Sequence, residues 1–340
     1  MADAQPILHL IEAFRCSKVL FAAVSLGIFD RLEAARAAAA TLAAEKGCHL
    51  DAFERLLDAC VALGLLSRDG DSYLNLPLTS RYLLRSSPET LCGYILYSDR
   101  VLYRLWDRLE DAVREGTNRW LQVFGGKTGA FQELFATEEG RLNFLAGMHG
   151  MGLLSSPEVV AALDLSGFRR LCDLGGATGH LAIAACRRYP ALRATVMDLP
   201  EVVPEARRCV ADAGLAGRIA VSEGDFFRDP LPEADLYALG RIVHDWPEDK
   251  ILTLLAKIHQ RLPAGGGVLV CEKILYPSRD GPLWANLQSL NMLVVVEGKE
   301  RTAAEYEALL RRAGFGNFQA RSTGRPLDAM LAIKGLVNAK

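Results

Sequence analysis

The residues best suited to chemistry begin with Asp173-Leu174-Gly175-Gly176-Ala177-Thr178-Gly179, which follows a short apolar run and precedes a helical stretch. Glycines at such a strand-to-helix turn let a ligand approach the backbone beside the first N–H groups of the helix. The dinucleotide pattern GxGxxG is not met, because Leu174 stands where its first glycine would be. Asp173 at the loop entrance would repel a pyrophosphate and attract an ammonium or sulfonium. Asp198 ends the next apolar run, a place where an acid commonly accepts both hydroxyls of a ribose. Gly224-Asp225-Phe226 ends the third run, offering a carboxylate for an adenine amino group and a ring for the base to stack on. Taken alone, each acid reads more readily as a helix cap or turn former. Three acids at successive strand ends beside a glycine loop describe a crevice for an adenosine-bearing ligand.

The fourth run leads into Arg241-Ile242-Val243-His244-Asp245-Trp246-Pro247, which puts a histidine at the rim of the same crevice with Asp245 adjacent. A phenol, with a pKa near 10, is a poor nucleophile at neutral pH until a base takes its proton. Neutral imidazole can do so if carboxylates fix its tautomer and then balance the imidazolium. Glu272 follows the fifth run and Glu300 precedes the next helix, so both could converge on His244. Glu300 also reads as an N-terminal helix charge, and Glu272 as the partner of Lys273 or another base. The remaining histidines show no metal-ligand spacing, and no metal is expected. The absence of GxSxG and HExxH patterns weakens hydrolase and metalloprotease readings. Gly126-Lys127-Thr128 imitates the end of a phosphate-binding loop, but Leu121 replaces the first glycine and no strand precedes it, so a turn is expected.

Positioning these groups requires a particular set of elements. After residue 165, the runs RLCDLGG, RATVMDL, RIAVSEG, ADLYALG and GVLVCEKIL alternate with helical stretches 179–189, 201–213 and 248–262. That rhythm predicts an α/β domain with a parallel sheet covered on both faces. A helix over 302–313 and two strands over 316–322 and 327–333 predict an antiparallel pair at one sheet edge. Before residue 165 nearly everything reads as helix: Pro6–Phe21, a helix starting at Asp51, a continuous one from Ser98 to Gly116, and an alanine-rich helix over Ala34–Ala44. SRDGDSYLN reads as a hairpin turning at Asp69-Gly70, so helices followed by a small hairpin suggest a winged helix. The expected division is 1–95, a winged-helix-like dimerisation domain; 96–165, a helical connector; and 166–340, the α/β domain.

Composition sets the outer limits. The chain has 340 residues, half of them apolar and 24% charged, an ordinary globular mixture with room for two cores. Its 39 Lys/Arg against 41 Asp/Glu leave a net charge of −2, with no global attraction to nucleic acid or anionic membrane. Residues 1–90 hold nine basic and eleven acidic side chains, and the candidate recognition helix carries Asp51, Glu54 and Asp58 against Arg55, which argues against DNA binding. The apolar N-terminal helix is better suited to packing on another subunit. Eight scattered cysteines with no CxxC pair read as buried free thiols. With no secretory signal at the start and no long apolar run, a reducing, cytoplasmic compartment is expected.

Taken together, DLGGATGHLA, VMDLPEVV, EGDFFRDPLPEADLY, RIVHDWPEDK, QSLNMLVVVEGKERT and LDAMLAIKG resemble the plant-type S-adenosylmethionine-dependent O-methyltransferases, specifically the acetylserotonin (hydroxyindole) O-methyltransferase group. CSKVLFAAVSLGIFD and AVREGTN extend the resemblance over nearly the whole chain. LIEAFRCSKVLFAA and MHGM look closer still to the acetylserotonin-methyltransferase-like domain fused elsewhere to a Maf-type nucleotide pyrophosphatase. The resemblance implies a Rossmann-like seven-stranded methyltransferase sheet, an N-terminal winged-helix-like domain and an intertwined homodimer. It implies S-adenosylmethionine as cofactor, with Asp173, Gly175 and Gly176 at its methionine part, Asp198 at the ribose, Gly224, Asp225 and Phe226 at the adenine, and Arg241 at another part. It further implies His244 as base, oriented by Glu272 and Glu300 with Asp245 nearby, and Asn291 and Met292 lining the pocket for a small aromatic, hydroxyindole-like acceptor. Two positions depart from the family pattern. Ala177 replaces the third glycine of DxGGGxG, and Gly152 falls where the acetylserotonin enzyme has a tryptophan, a change expected to weaken cofactor binding or enlarge the pocket. The rival reading is a catalytically silent cofactor-binding homologue serving as a dimeric scaffold.

Overall fold

The computed structural model describes residues 3–125, 135 and 137–335. The Gly126-Lys127-Thr128 turn lies outside the described residues. The chain divides into two compact units, residues 1–103 with 142–150, and residues 104–141 with 151–340.

In the first unit, helices Gln5–Ser25, Ile28–Ala34, Ala39–Lys46 and Leu50–Ala62 precede a hairpin of β2 (Leu66–Asp69) and β3 (Ser72–Asn75). A two-residue strand, β1 (Ala37–Ala38), pairs with β3 to give the antiparallel order β1-β3-β2. The alanine-rich stretch is therefore not one helix: Ala37–Ala38 is extended, because its backbone is taken by Tyr73 and Ser72 of β3. The hairpin turns one residue later than expected, since Asp69 pairs with Ser72 and Gly70, at φ +58°, supplies the left-handed residue. Ile28, Phe29, Leu42, Leu57, Leu66 and Tyr73 form the core of this winged-helix-like unit. The first helix buries only Ala23 and Val24, while Ile7, Leu8, Leu10, Ile11 and Phe14 are exposed.

The expected helix from Ser98 to Gly116 is interrupted. A π-helical segment Ser98–Leu102 leads to Tyr103–Trp106, and the helix restarts at Leu109. The break shifts the apolar stripe by one position, so Ala112 is buried and Val113 is exposed.

The second unit carries a seven-stranded sheet in the order β6-β5-β4-β7-β8-β10-β9. Its strands are β4 (Arg170–Leu174), β5 (Arg193–Asp198), β6 (Ile219–Glu223), β7 (Leu236–Gly240), β8 (Gly267–Cys271), β9 (Phe315–Arg321) and β10 (Ala329–Lys334). The first five are parallel, and β10 inserts antiparallel between β8 and β9, which is the closing pair expected from the sequence. Alternate residues feed two cores: Leu236, Ala238, Leu269 and Cys271 on one face, Tyr237, Leu239, Val268 and Val270 on the other. Helices His180–Arg188 and Val203–Asp212 cover the first face; Glu248–Arg261 and Ala303–Arg312 cover the second. The chain winds outward from β4 through β5 to β6, then returns to β7 on the other side of β4. That reversal opens a crevice at the carboxyl ends of β4, β5 and β7. Among the described residues, no helix is long and apolar enough to cross a membrane.

Candidate active site

The loop after β4 is drawn tightly onto the neighbouring strands. Gly175 N–H donates to the Met197 carbonyl at 2.8 Å, and Gly179 N–H to the Gly176 carbonyl at 2.7 Å. Gly175 lies at φ +64°, and a Cβ there would meet Ile242 Cδ1 at 2.6 Å and the Phe226 ring at 3.2 Å. A Cβ on Gly176 would lie 2.7–2.8 Å from the Asp173 carboxyl. Glycine is therefore required at 175 by both conformation and space, and at 176 by space. Ala177, at φ +49°, holds the same left-handed conformation with a methyl group, at a cost of ~1 kcal/mol.

Asp198 fastens this loop. Its Oδ2 accepts from Ala177 N–H at 2.8 Å and its Oδ1 from Leu199 N–H at 2.7 Å. Burial pushes its pKa up to about 6 against those two bonds. Asp173 is 2% exposed, and burial, with a contribution from Asp198, pushes it up to about 7. Its Oδ2 is buried and has no partner among the described residues. Asp225 sits in a turn, where Oδ1 accepts from Phe227 N–H at 2.8 Å and its own N–H donates to Asp229 at 2.8 Å. It is thus a turn former that keeps one carboxylate edge 3.5 Å from Arg228. Gly224, whose N–H donates to the Asp198 carbonyl, allows Met197 Cε to sit where a side chain would begin. Arg241 takes φ +58°, and its Nε and Nη2 are buried without partners among the described residues.

His244 lies on a single 3-10 turn, Val243–Asp245, and is 3% exposed. Its Nδ1 is 2.6 Å from Glu300 Oε1 and 3.2 Å from Glu272 Oε2, so the proton belongs on Nδ1 and Nε2 is left as the basic nitrogen. Nε2 lies 3.5 Å from Asp245 Oδ1. Burial alone would lower the imidazole pKa, but Glu272, Glu300 and Asp245 outweigh it and push it up to about 10. Glu272 is fully buried, and its Oε1 accepts from the N–H groups of Ile242, Val243 and His244 at 2.9, 2.8 and 3.4 Å. Burial pushes Glu272 up to about 8, opposed by the His244 charge. Burial likewise pushes Asp245 up to about 6. Lys273 is not the partner of Glu272; it pairs with Asp328 at 3.0 Å.

His244, Glu272 and Glu300 offer ligand atoms within 4.8 Å of one another. The 2.6 Å between Nδ1 and Glu300 is a hydrogen-bond separation, shorter than the spacing of two ligands around a tetrahedral ion at ~2.0–2.2 Å.

Asn291 and Met292 lie on helix Leu283–Val295. Asn291 Oδ1 accepts from Trp106 Nε1 at 2.8 Å, so its amide NH2 remains for another partner, and Met292 is buried. Gly152 packs against His180: a Cβ there would stand 2.3–2.5 Å from the imidazole, whose Nδ1 is 2.8 Å from Ser156 Oγ. Glycine at 152 therefore leaves no void at its Cβ position, which the ring of His180 fills. A separate open cleft of about 610 Å³, lined by Lys273, Tyr276, Trp284 and Arg321 among others, contains none of the expected site residues.

Three groups escaped the sequence reading. Ile242 closes over Gly175, Tyr306 donates its hydroxyl to Glu300 Oε2 at 3.3 Å, and Arg301 is buried beside Glu300. Tyr306 could have been found as the position one turn into the helix after GKERT; an arginine in a charged pentapeptide gives no signal of burial.

Comparison with known proteins fits this geometry. Residues 106–316 match the O-methyltransferase domain family, and residues 8–85 match the O-methyltransferase dimerisation domain. Acetylserotonin O-methyltransferase of Bos taurus is 44% identical over 330 residues, 95% of each chain. A Homo sapiens protein named as a probable bifunctional dTTP/UTP pyrophosphatase/methyltransferase is 41% identical over 96% of this chain and 53% of its own length. The crystal structure of human N-acetylserotonin methyltransferase in complex with SAM aligns with a TM-score of 0.93 and 42% identity, covering 98% of this chain and 99% of that one. With both domains matched in order and identity above two-fifths along almost the full length, the chain belongs to the O-methyltransferase family.

Proposed function

We propose that the chain transfers the methyl group of S-adenosylmethionine to the hydroxyl of a small aromatic acceptor, with His244 as general base. The observation that carries this reading is the buried imidazole whose Nδ1 is hydrogen-bonded to Glu300, with Glu272 Oε2 at 3.2 Å, while Nε2 is left basic. The crevice suits the cofactor chemically. A ligand bearing an ammonium, a sulfonium and a carboxylate can meet both the unpartnered Asp173 Oδ2 and the unpartnered Arg241 nitrogens. Asp198 is the candidate for the ribose hydroxyls, Gly224, Asp225 and Phe226 for the adenine, and Gly175 and Gly176 for close approach of the methionine part. When bound, the cofactor supplies a methyl group activated on positive sulfur.

The remaining work falls to the protein. Glu272 and Glu300 strengthen the hold of the imidazole on a proton and balance the imidazolium once Nε2 has taken the proton of the acceptor hydroxyl. Asn291 and Met292 would orient the acceptor ring, and most of the acceleration would come from alignment plus proton removal. The names of the similar proteins support a hydroxyindole such as N-acetylserotonin as acceptor. The exposed apolar stripe on Gln5–Ser25, within the matched dimerisation domain, supports a homodimer. Eight free thiols, six of them buried, support a reducing compartment such as the cytoplasm.

The test is calorimetry with S-adenosylmethionine followed by turnover on a panel of hydroxyindoles and phenols. His244→Ala should lower kcat by ~10²–10⁴ while leaving cofactor affinity unchanged. Methylation on nitrogen or carbon, or full turnover by His244→Ala, would refute the reading. Cofactor binding without turnover on any acceptor would favour the silent scaffold, which the strained Ala177 makes the relevant competitor.

A further inference from the structure

The segment from Glu297 to Arg301 lies across the turn that carries His244. Glu297 N–H donates to the Asp245 carbonyl at 3.2 Å. At Gly298 a Cβ would stand 2.1 Å from the His244 carbonyl oxygen and 2.7 Å from Asp245 C and Trp246 N, so the two backbones touch where only glycine fits. Two residues on, Glu300 reaches His244 Nδ1. The next residue, Arg301, is 2% exposed, yet its guanidinium points back into the same junction. Nη1 donates to the carbonyls of Lys299 at 3.1 Å and Val243 at 3.4 Å, and Nη2 to that of Trp246 at 3.5 Å. The partners Val243 and Trp246 bracket His244 and Asp245, and Lys299 belongs to the strap. Two of the three bonds are long, so the group acts chiefly as a shared positive charge among carbonyl dipoles. Among the described residues no carboxylate lies within ion-pair distance of it. A buried cation so placed is costly unless something nearby requires its charge.

What it joins is the turn that carries His244 and the strap that carries Glu300. The groups acting on His244 are Asp245 on its own turn, Glu272 after β8 and Glu300 on the strap; Arg241 acts in turn on Glu272 and Asp245, and Tyr306 on Glu300. The carboxylates strengthen the hold of the imidazole on its proton only while they are kept against it. We propose that Arg301 is a positioning residue for His244: it ties the turn to the strap so that Glu300 meets Nδ1 and keeps its hold on the imidazole proton. This rests on the reading of His244 as the base.

Three variants and one control test it, each with thermal unfolding and cofactor calorimetry as a check on folding. Arg301→Met, which removes the bridge, should lower kcat by ~10–100-fold, hold cofactor affinity, and move the acid limb of the kcat–pH profile to lower pH because Glu300 is no longer held on Nδ1. Arg301→Lys keeps a point charge that cannot span both sides, so kcat should fall and the limb should move in the same direction by a smaller amount. Gly298→Ala keeps the guanidinium but lifts the strap, so kcat should fall and the limb should move to lower pH as Glu300 withdraws from Nδ1. Wild-type kcat in Arg301→Met, or a kcat loss with an unmoved limb, overturns the proposal. If Arg301→Met does not fold, a Gly298→Ala enzyme with wild-type kcat and limb overturns it equally. His244→Ala run in parallel separates the two levels. If it is fully active, the base assignment falls and this proposal with it; if it is inactive while the strap variants match wild type, only Arg301 loses its role.

Discussion

Ala177 joins backbone strain to binding in one residue. It holds φ +49° between two glycines of the loop and gives its N–H to Asp198. Replacing it by glycine should relieve a net ~0.5 kcal/mol, because the cost of an L-residue in the left-handed region exceeds the chain entropy that alanine removes from the unfolded state. Ala177→Gly should therefore raise the urea midpoint and tighten S-adenosylmethionine binding in calorimetry; a lower midpoint would mean that the loop does not carry this strain in solution. The places of Asp173, Asp198, Arg241 and His244 were legible in the sequence, since all four lie on or just after parallel strands, where a doubly wound sheet opens its crevice. What was not legible depends on long-range contact. The triple N–H cage on Glu272 Oε1, and the diversion of Lys273 to Asp328, are set by segments some 30 to 55 positions apart. Likewise the turn bonds of Asp225 could be stated as one reading of that acid, but its partners Phe227 and Asp229 could not be named from the sequence.

At the scale of elements, the strands were found because burial on both faces makes them continuous apolar runs, which periodicity and length identify together. The helical half was read less well for the converse reason. Leu102, Leu105 and Trp106 establish a stripe, but Trp106 is tied to Asn291 and the helix stops there, restarting one position out of phase. Ala37–Ala38 is pulled into a strand by β3 despite the helix propensity of alanine, a tertiary override of a local preference. The helix Ala303–Arg312 is the opposite case, with its start written locally. Thr302 Oγ1 accepts from Glu305 N–H and Glu305 answers to the Thr302 N–H, forming a reciprocal cap. Thr302→Ala should cost about 1 kcal/mol of stability without moving the pH limb of kcat, although residue 302 adjoins Arg301. A shifted limb would mean that the cap, rather than the guanidinium, sets the strap.

Across the whole molecule, a net charge of −2 conceals where the charge lies. Asp173 at about 7, Asp198 and Asp245 at about 6, and Glu272 at about 8 are all raised by burial, far above the ~4 of an unfolded carboxylate. From about pH 5 to about pH 8 the native state therefore binds more protons than the unfolded chain, and stability falls as pH rises. His244 acts in the same sense: raised to about 10, its contribution is complete below the unfolded value of 6.5 and is lost as pH climbs through the folded one. His259, lowered by burial and Lys334, opposes them as a single half-buried group. The exposed carboxylates lowered by partners, such as Glu45 and Glu89, exert their effect only below this window. The ligand-free protein should thus show a falling Tm between pH 5 and 8, opposite to the acid-sensitive behaviour of a protein whose carboxylates are paired. Saturating S-adenosylmethionine should flatten the slope, because a cation beside Asp173 favours its ionised form, and binding should release protons, visible as an enthalpy that depends on the buffer. Scanning calorimetry at three pH values, with and without cofactor, decides the matter: a Tm that rises toward pH 8 in the free protein would mean that these carboxylates are already ionised without cost, and that the crevice is far wetter than its burial implies.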